Sequence, residues 1–227
     1  MYAGNKSYED MGDLPASIMV FPLPGVLLLP RGELPLNIFE QRYLNMVDAA
    51  LRGDRMIGMV QPRFDMGNLD LGGNPPLCSV GCAGRITGFH ESGDGRYQIT
   101  LTGVARFRLE EELDGRQGYR ICRISTREFV QDLIESEGED GVDRAALLRA
   151  LRAYLTAHNM ETDWESISNA STEILVNALS MMSPYGPREK QALLEAADLK
   201  ARADTLIAIT ELDLARGGGE PGSSTLQ

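Results

Sequence analysis

Apolar residues are spaced in two ways along this chain. Between Ala16 and Phe129 they fall in short runs or alternate with polar residues, the period-two signature of strands. Beyond Asp143 they recur every three or four residues, the signature of helices. Ile18-Met19-Val20-Phe21 and Val26-Leu27-Leu28-Leu29 are short buried runs, and Leu34-Pro35-Leu36-Asn37-Ile38-Phe39 alternates around a proline, as an edge or irregular strand does. Pro22, Pro24, Pro30 and Pro35 keep these segments short and bent. Tyr43, Met46, Val47, Ala50 and Leu51 make one stripe of a helix over Glu40 to Leu51, with Gly53 as its C-cap. Strands follow at Arg55–Gln61, Cys78–His90, Tyr97–Thr102, Ala105–Leu109 and Tyr119–Ile124, with Asp94-Gly95 and Asp114-Gly115 as turn signals. Six or seven short strands of this kind predict a small barrel or sandwich.

The helical regime opens at Asp143, which can cap a helix carrying Leu147, Leu148, Leu151, Tyr154 and Leu155. Ile174, Leu175, Ala178, Met181 and Met182 form a second stripe. Pro187 suits the first turn of a third helix, and Asp198 caps a last one with Leu199, Ala203, Leu206, Ile207, Thr210 and Leu214 at helical spacing. Strands followed by helices make the fold class α+β. The expected division is a mobile polar tail over 1–14, a β-rich unit over 15–130, a solvated linker over 131–142, a helical bundle over 143–216 and a low-complexity tail over 217–227. The linker assignment rests on six acids and no base between Asp132 and Asp143. Residues 62–77, with three glycines and three prolines, form a long connection of the kind that tends to be functional.

Composition narrows the function. The net charge of −11 disfavours a general nucleic-acid binder, which needs clustered bases. No apolar run approaches the ~20 residues of a membrane span, and the N-terminus has no signal-peptide core. Three sparse cysteines (Cys78, Cys82, Cys122) are no disulfide framework, so the chain is expected to be cytoplasmic.

Catalytic signatures are missing. No glycine precedes a lysine, so there is no phosphate-binding P-loop, and no G-x-S-x-G or H-E-x-x-H occurs. His90 reads as a solvated turn residue and His158 as a helix-end cap. Cys78 and Cys82 lack two further zinc ligands and read as packing residues. A Ser–Lys dyad needs a buried lysine, yet Lys6 falls in the tail, and Lys190 and Lys200 fall on helix faces expected to be exposed. Glu40 and Arg42 flank a helix start and can pair, while Phe39 and Tyr43 read as packing framework. No catalytic residue, metal or cofactor is expected.

Phe21-Pro22-Leu23-Pro24-Gly25-Val26, Leu29-Pro30 and the block from Leu34 to Tyr43 resemble the N-terminal substrate-binding domain of the Lon protease family. Met46 to Leu51, Ile57 to Val60, Leu101-Thr102-Gly103-Val104-Ala105-Arg106-Phe107 and the stretches 183–196 and 202–206 continue the resemblance over roughly residues 17–215. It implies a PUA-like, mostly antiparallel β-barrel with one internal helix, then a helical bundle. The absence of the family's ATPase and peptidase modules from this sequence implies a stand-alone bacterial member. Its implied role is non-catalytic recognition of polypeptide segments or a partner protein, as an adaptor or a chaperone-like recogniser of unfolded chains. Ten methionines suit a promiscuous apolar surface. Met66, Leu69 and Leu71 in the long loop, with Met181 and Met182 before the Pro184–Pro187 break, are the candidate peptide-binding residues. The alternative is nucleic-acid or small-ligand binding through the barrel, should Arg85, Arg96, Arg106, Arg108, Arg120, Arg123 and Arg127 share a face.

Overall fold

A computed structural model describes residues 1–63, 74–114 and 118–217. Its centre is a closed barrel. β3 (Ser17–Pro22), β5 (Met56–Pro62), β6 (Leu77–Glu91), β7 (Tyr97–Leu113) and β8 (Arg120–Ser125) pair in a ring that β8 closes by bonding both β7 and β3. All of these pairings are antiparallel except β3 with β5. β4 (Glu33–Ile38) joins as an outer strand on the first half of β7 and has no second neighbour. The edge position suits Pro35, which has no N–H to give a ladder. The bond from Gly103 N to Gly32 O (2.9 Å) sets the register, so even-numbered residues of β4 face β7 and Pro35 faces outward.

Leu27 to Leu29 is buried as expected and Val26 half-buried, but the run forms no strand. The run lies against the barrel where Gly84 and Gly103 present no side chain. A Cβ at Gly103 would stand 2.0 Å from Leu29 O, and one at Gly84 2.7 Å from a Leu28 methyl. Close packing, against backbone at Gly103 and against side chains at Gly84, demands these glycines rather than turn geometry.

The helices are α1 (Gln41–Arg52), α2 (Arg144–Ala157), α3 (Trp164–Asn169), α4 (Thr172–Met182), α5 (Pro187–Glu195) and α6 (Leu199–Gly217). α1 ends at Gly53 and buries Tyr43, Met46, Val47 and Ala50. Asp143 caps α2 through Ala146 N (2.8 Å), Pro187 occupies the first turn of α5, and Asp198 accepts from Ala201 N (2.7 Å) at the start of α6. The short α3 was not foreshadowed; Asp163 caps it through Glu165 N and Ser166 N. One continuous core runs from Phe21, Leu28, Met46, Ile57 and Leu101 on the barrel side to Leu147, Val176, Leu193 and Leu206 on the helices.

Two expectations are corrected. Residues 1–14 are not a loose tail: β1 (Tyr2–Ala3) and β2 (Lys6–Ser7) form a hairpin, and Tyr8 is fully buried with its hydroxyl 3.2 Å from Met56 Sδ. Tyr8 stands in a polar stretch with no periodicity to announce it, yet its area suffices to anchor the hairpin. The solvated linker expected over 131–142 is corrected in part: most of it is exposed, but its start is structured and buried. Two 3-10 segments, Arg127–Leu133 and Glu139–Gly141, fold this acidic stretch back, burying Asp132 and Leu133. Asp132 is buried because it is paired. It accepts from Arg106 N (2.8 Å), Nε (2.9 Å) and Nη2 (2.8 Å). Arg106 also donates to Leu194 O of α5 (3.1 Å) and to Ala196 O just past its end, and lies 4.7 Å over the Phe129 ring. A second polar joint connects Gln61 on β5 to Gly25 N (2.9 Å), Pro187 O (3.1 Å) and Gln191 (3.1 Å). The tail expected over 217–227 lies, after Gly217, outside the described residues.

Candidate functional site

The apolar stripe of α4 is turned the unexpected way. Ser171 caps the helix through Ile174 N (3.2 Å), and the chain leaves it at Ser183, ahead of Pro184. Facing the molecule are Leu175 and Val176, but also Thr172, Glu173, Asn177 and Ser180, all buried. Facing out are Ile174 (55 % exposed) and Met182 (81 %), with Ala178 and Met181 half-buried beside them. Polar side chains go inward because partners wait there. Glu173 accepts from Arg31 (Nε, 2.9 Å) and Ser136 N (2.8 Å), and Asn177 bridges Arg202 Nη1 (3.0 Å) to Pro30 O (3.3 Å). Arg31 holds a left-handed backbone (φ 64°), a conformation costing about 1–2 kcal/mol that its guanidinium contacts to Glu173 and Asp132 O (2.8 Å) offset.

Between α4 and β4 lies a groove of about 330 Å³. Ile174, Ala178, Met181 and Met182 form one wall, and Val26, Leu34 and Pro35 the other. Met181 rests on Gly32, where a Cβ would meet its sulfur at 2.3 Å, so the glycine sets where this wall stands. The groove floor contains Lys190. Expected on an exposed face, Lys190 is in fact 7 % exposed and donates to Met181 O (2.9 Å) at the C-terminal end of α4. That carbonyl end attracts a cation, while burial holds the ammonium below its ordinary pKa. From Ile174 to Met182 the wall is roughly 12 Å long at 1.5 Å per residue, enough for about four residues of extended chain.

The groove therefore brings together Met181 and Met182 from the sequence-derived set; Met66, Leu69 and Leu71 lie outside the described residues. Val26 falls in a run expected to be buried, Leu34 in an expected edge strand and Ile174 in a helical stripe; none of the three is among the candidate binding residues. The available signal was the polar pair Glu173 and Asn177, four apart on one side of the helix. Asn74 and Pro75, at the end of the long connection, line a smaller cavity of about 180 Å³ with Phe39, Arg42, Tyr43 and Tyr119. Tyr43 packs on Phe21 (ring centroids 4.1 Å apart), but Phe39, expected to pack, is 65 % exposed. Arg42 and Glu40 pair at 2.8 Å.

The other candidates disperse. Of the seven arginines, Arg96, Arg106, Arg108, Arg120 and Arg123 each pair with a carboxylate (Asp94, Asp132, Glu128, Glu112 and Glu111), which offsets their charge, and Arg85 donates to Asp54 O. Cys78, Cys82 and Cys122 are buried thiols, and burial pushes Cys82 up strongly and Cys122 up to about 11. Among the described residues no three His, Cys, Asp or Glu side chains are placed to hold a metal, and no helix is long and apolar enough to cross a membrane. His158 ends α2 and lies 3.4 Å from Asp213.

Solved structures share this architecture. The N-terminal domain of Mycobacterium avium complex Lon protease superposes with a TM-score of 0.64 at 16% identity, covering 86% of this chain and 98% of that one. A Lon N-terminal domain protein from Xanthomonas campestris gives 0.58 at 21% identity, covering 85% and 97%. The fold is thus that of Lon N-terminal domains, an α+β barrel with appended helices. The sequence carries the assignment further, because the ATP-dependent protease La (LON) substrate-binding domain model matches residues 17–211. Lon protease 2 of Myxococcus xanthus is 30% identical over 208 residues, and Lon protease of Anaeromyxobacter dehalogenans 28% over 205. The chain belongs to the LON substrate-binding domain family. It spans about a quarter of the length of these relatives, 24% and 23%.

Proposed function

We propose that this protein binds extended apolar polypeptide segments in the groove between β4 and α4, acting as an adaptor or a chaperone-like recogniser of unfolded chains rather than as a catalyst. The observation that carries this reading is the reversed face of α4. A helix normally hides its apolar stripe; here Ile174, Met181 and Met182 line an open groove while Glu173 and Asn177 are buried. Methionine side chains accommodate differing partners because they are flexible and polarisable. The family's description as a substrate-binding domain supports the same reading.

Fluorescence anisotropy with a labelled, permanently unfolded protein such as a reduced and carboxymethylated chain tests it. Burying one Met or Ile side chain contributes about 1.5–3 kcal/mol, so Ile174→Asp or Met182→Glu should weaken binding roughly 10- to 100-fold. Both positions are exposed, so stability should change by less than about 0.5 kcal/mol. Equal binding by wild type and both variants refutes the groove; no binding by wild type refutes the function.

A further inference from the structure

β4 is paired along one edge alone. Its even-numbered residues bond β7, so the N–H groups of Glu33 and Asn37 and the C=O groups of Glu33, Pro35 and Asn37 point away from the sheet. None of these five groups has a hydrogen-bond partner among the described residues, and all three residues are exposed. The groove follows this edge rather than covering a face of the strand. Successive side chains of a strand point to opposite faces, yet both Leu34 and Pro35 line the groove. A cavity touched from both faces runs along an edge, and β7 fills the other one. The smaller cavity is touched in the same way by Leu36 and Asn37. The neighbouring segment changes over in step, with Gly25 and Val26 on the first cavity and Leu23 and Pro24 on the second. The two cavities are successive parts of one trough along the six residues of β4, about 20 Å.

Main-chain groups left unpaired at alternate residues, about 7 Å apart, are complementary to one kind of ligand, another extended main chain. Taking the groove as the site where unfolded chains bind, we infer that the bound segment adds to the sheet as a strand along the outer edge of β4, with alternate side chains meeting Ile174 and Met181 of α4. Main-chain bonds then hold segments of differing sequence, and the apolar wall selects apolar side chains. Pro35 limits the edge. It has no N–H to give, so two donors face outward where a strand of this length without proline offers three. A second copy of this chain would bring its own Pro35 to the pairing and lose a further donor; a segment of an unfolded protein brings no such gap. Proline thus guards the edge against pairing with itself while leaving Glu33 and Asn37 to a short guest.

Changing single outward donors tests this without touching the bonds to β7. Asn37→Pro removes an outward N–H, as proline already does at position 35, whereas Asn37→Ala keeps it. With the reduced and carboxymethylated chain as probe, affinity should fall roughly 2- to 10-fold from Asn37→Ala to Asn37→Pro. Pro35→Ala supplies the missing donor and should tighten binding by a similar factor, which decides the matter if Asn37→Pro does not fold. At saturation, the amide protons of Glu33 and Asn37 should exchange more slowly by NMR than in the free protein. Binding that Ile174→Asp weakens but that neither Asn37→Pro nor Pro35→Ala alters overturns strand addition and leaves the groove standing. No binding by wild type removes the groove and the added strand together. Slowed exchange at Glu33 and Asn37 that grows with protein concentration, without the probe, gives the edge to a second copy and likewise overturns it.

Discussion

Removing the Asp132 carboxylate should loosen the helices from the barrel. In Asp132→Ala, Arg106 loses three hydrogen bonds, those from its N, Nε and Nη2, and remains an unpaired guanidinium at 4 % exposure. Breaking one partner out of a buried pair costs about 3–5 kcal/mol, against a total stability of about 5–15 kcal/mol. At about 2–4 °C per kcal/mol for a chain of this size, the melting temperature should fall by roughly 6–20 °C. Because Arg106 also holds Leu194 O and Ala196 O, loosening it frees α5 and with it the groove floor at Lys190. Urea unfolding followed by circular dichroism measures the cost. The double variant Asp132→Leu with Arg106→Met separates charge from packing: removing both charges together should cost less than the sum of the singles. A loss under about 1 kcal/mol in Asp132→Ala, or strict additivity in the double variant, would refute the view that an isolated charge, not a lost contact, dominates.

Other outcomes follow from the same geometry. Gly103→Ala puts a Cβ 2.0 Å from a backbone oxygen that cannot move freely, so the protein should lose soluble expression or most of its cooperative unfolding. Gly32→Ala meets chiefly the flexible end of Met181, with Leu29 O at 3.1 Å beside it; stability should fall by about 1 kcal/mol, while affinity for unfolded chains changes because the thioether is pushed from its place. The raised Cys122 thiol makes stability depend on alkaline pH. The native state keeps a proton that the unfolded chain releases near pH 8.5. The contribution is therefore whole below that pH and lost as pH rises towards about 11, and Cys122→Ala should flatten that part of a stability–pH curve. The three buried thiols should react with a thiol reagent at the rate of unfolding, not at the rate of free cysteine.

Elements whose signals are local were readable from the residue order. α1 was fixed by its stripe and Gly53, α2 by Asp143, and α5 by Pro187; β4 was marked as an edge strand by Pro35. In each case a side chain or missing N–H acts within a turn of its own position. The groove was only half readable. Met181 and Met182 were found by composition and their place before a proline break. The outward facing of Ile174 was not, because periodicity gives the separation of positions on a helix and not which side the molecule covers.

What the chain order determined alone is the alternation that builds a barrel, the helical period that follows, and a family signature from Phe21 to Tyr43. What only tertiary structure decided is which groups find partners at long range. Asp132 sits in an acidic stretch that looks solvated until Arg106, from the middle of β7, neutralises it. Glu173 and Asn177 look like the wet side of α4 until Arg31 and Arg202 draw them in, forcing methionine and isoleucine out to line the groove. The physical reason is common to all of them. Burying a charged or polar side chain depends on a partner, and here the partners lie on separate elements.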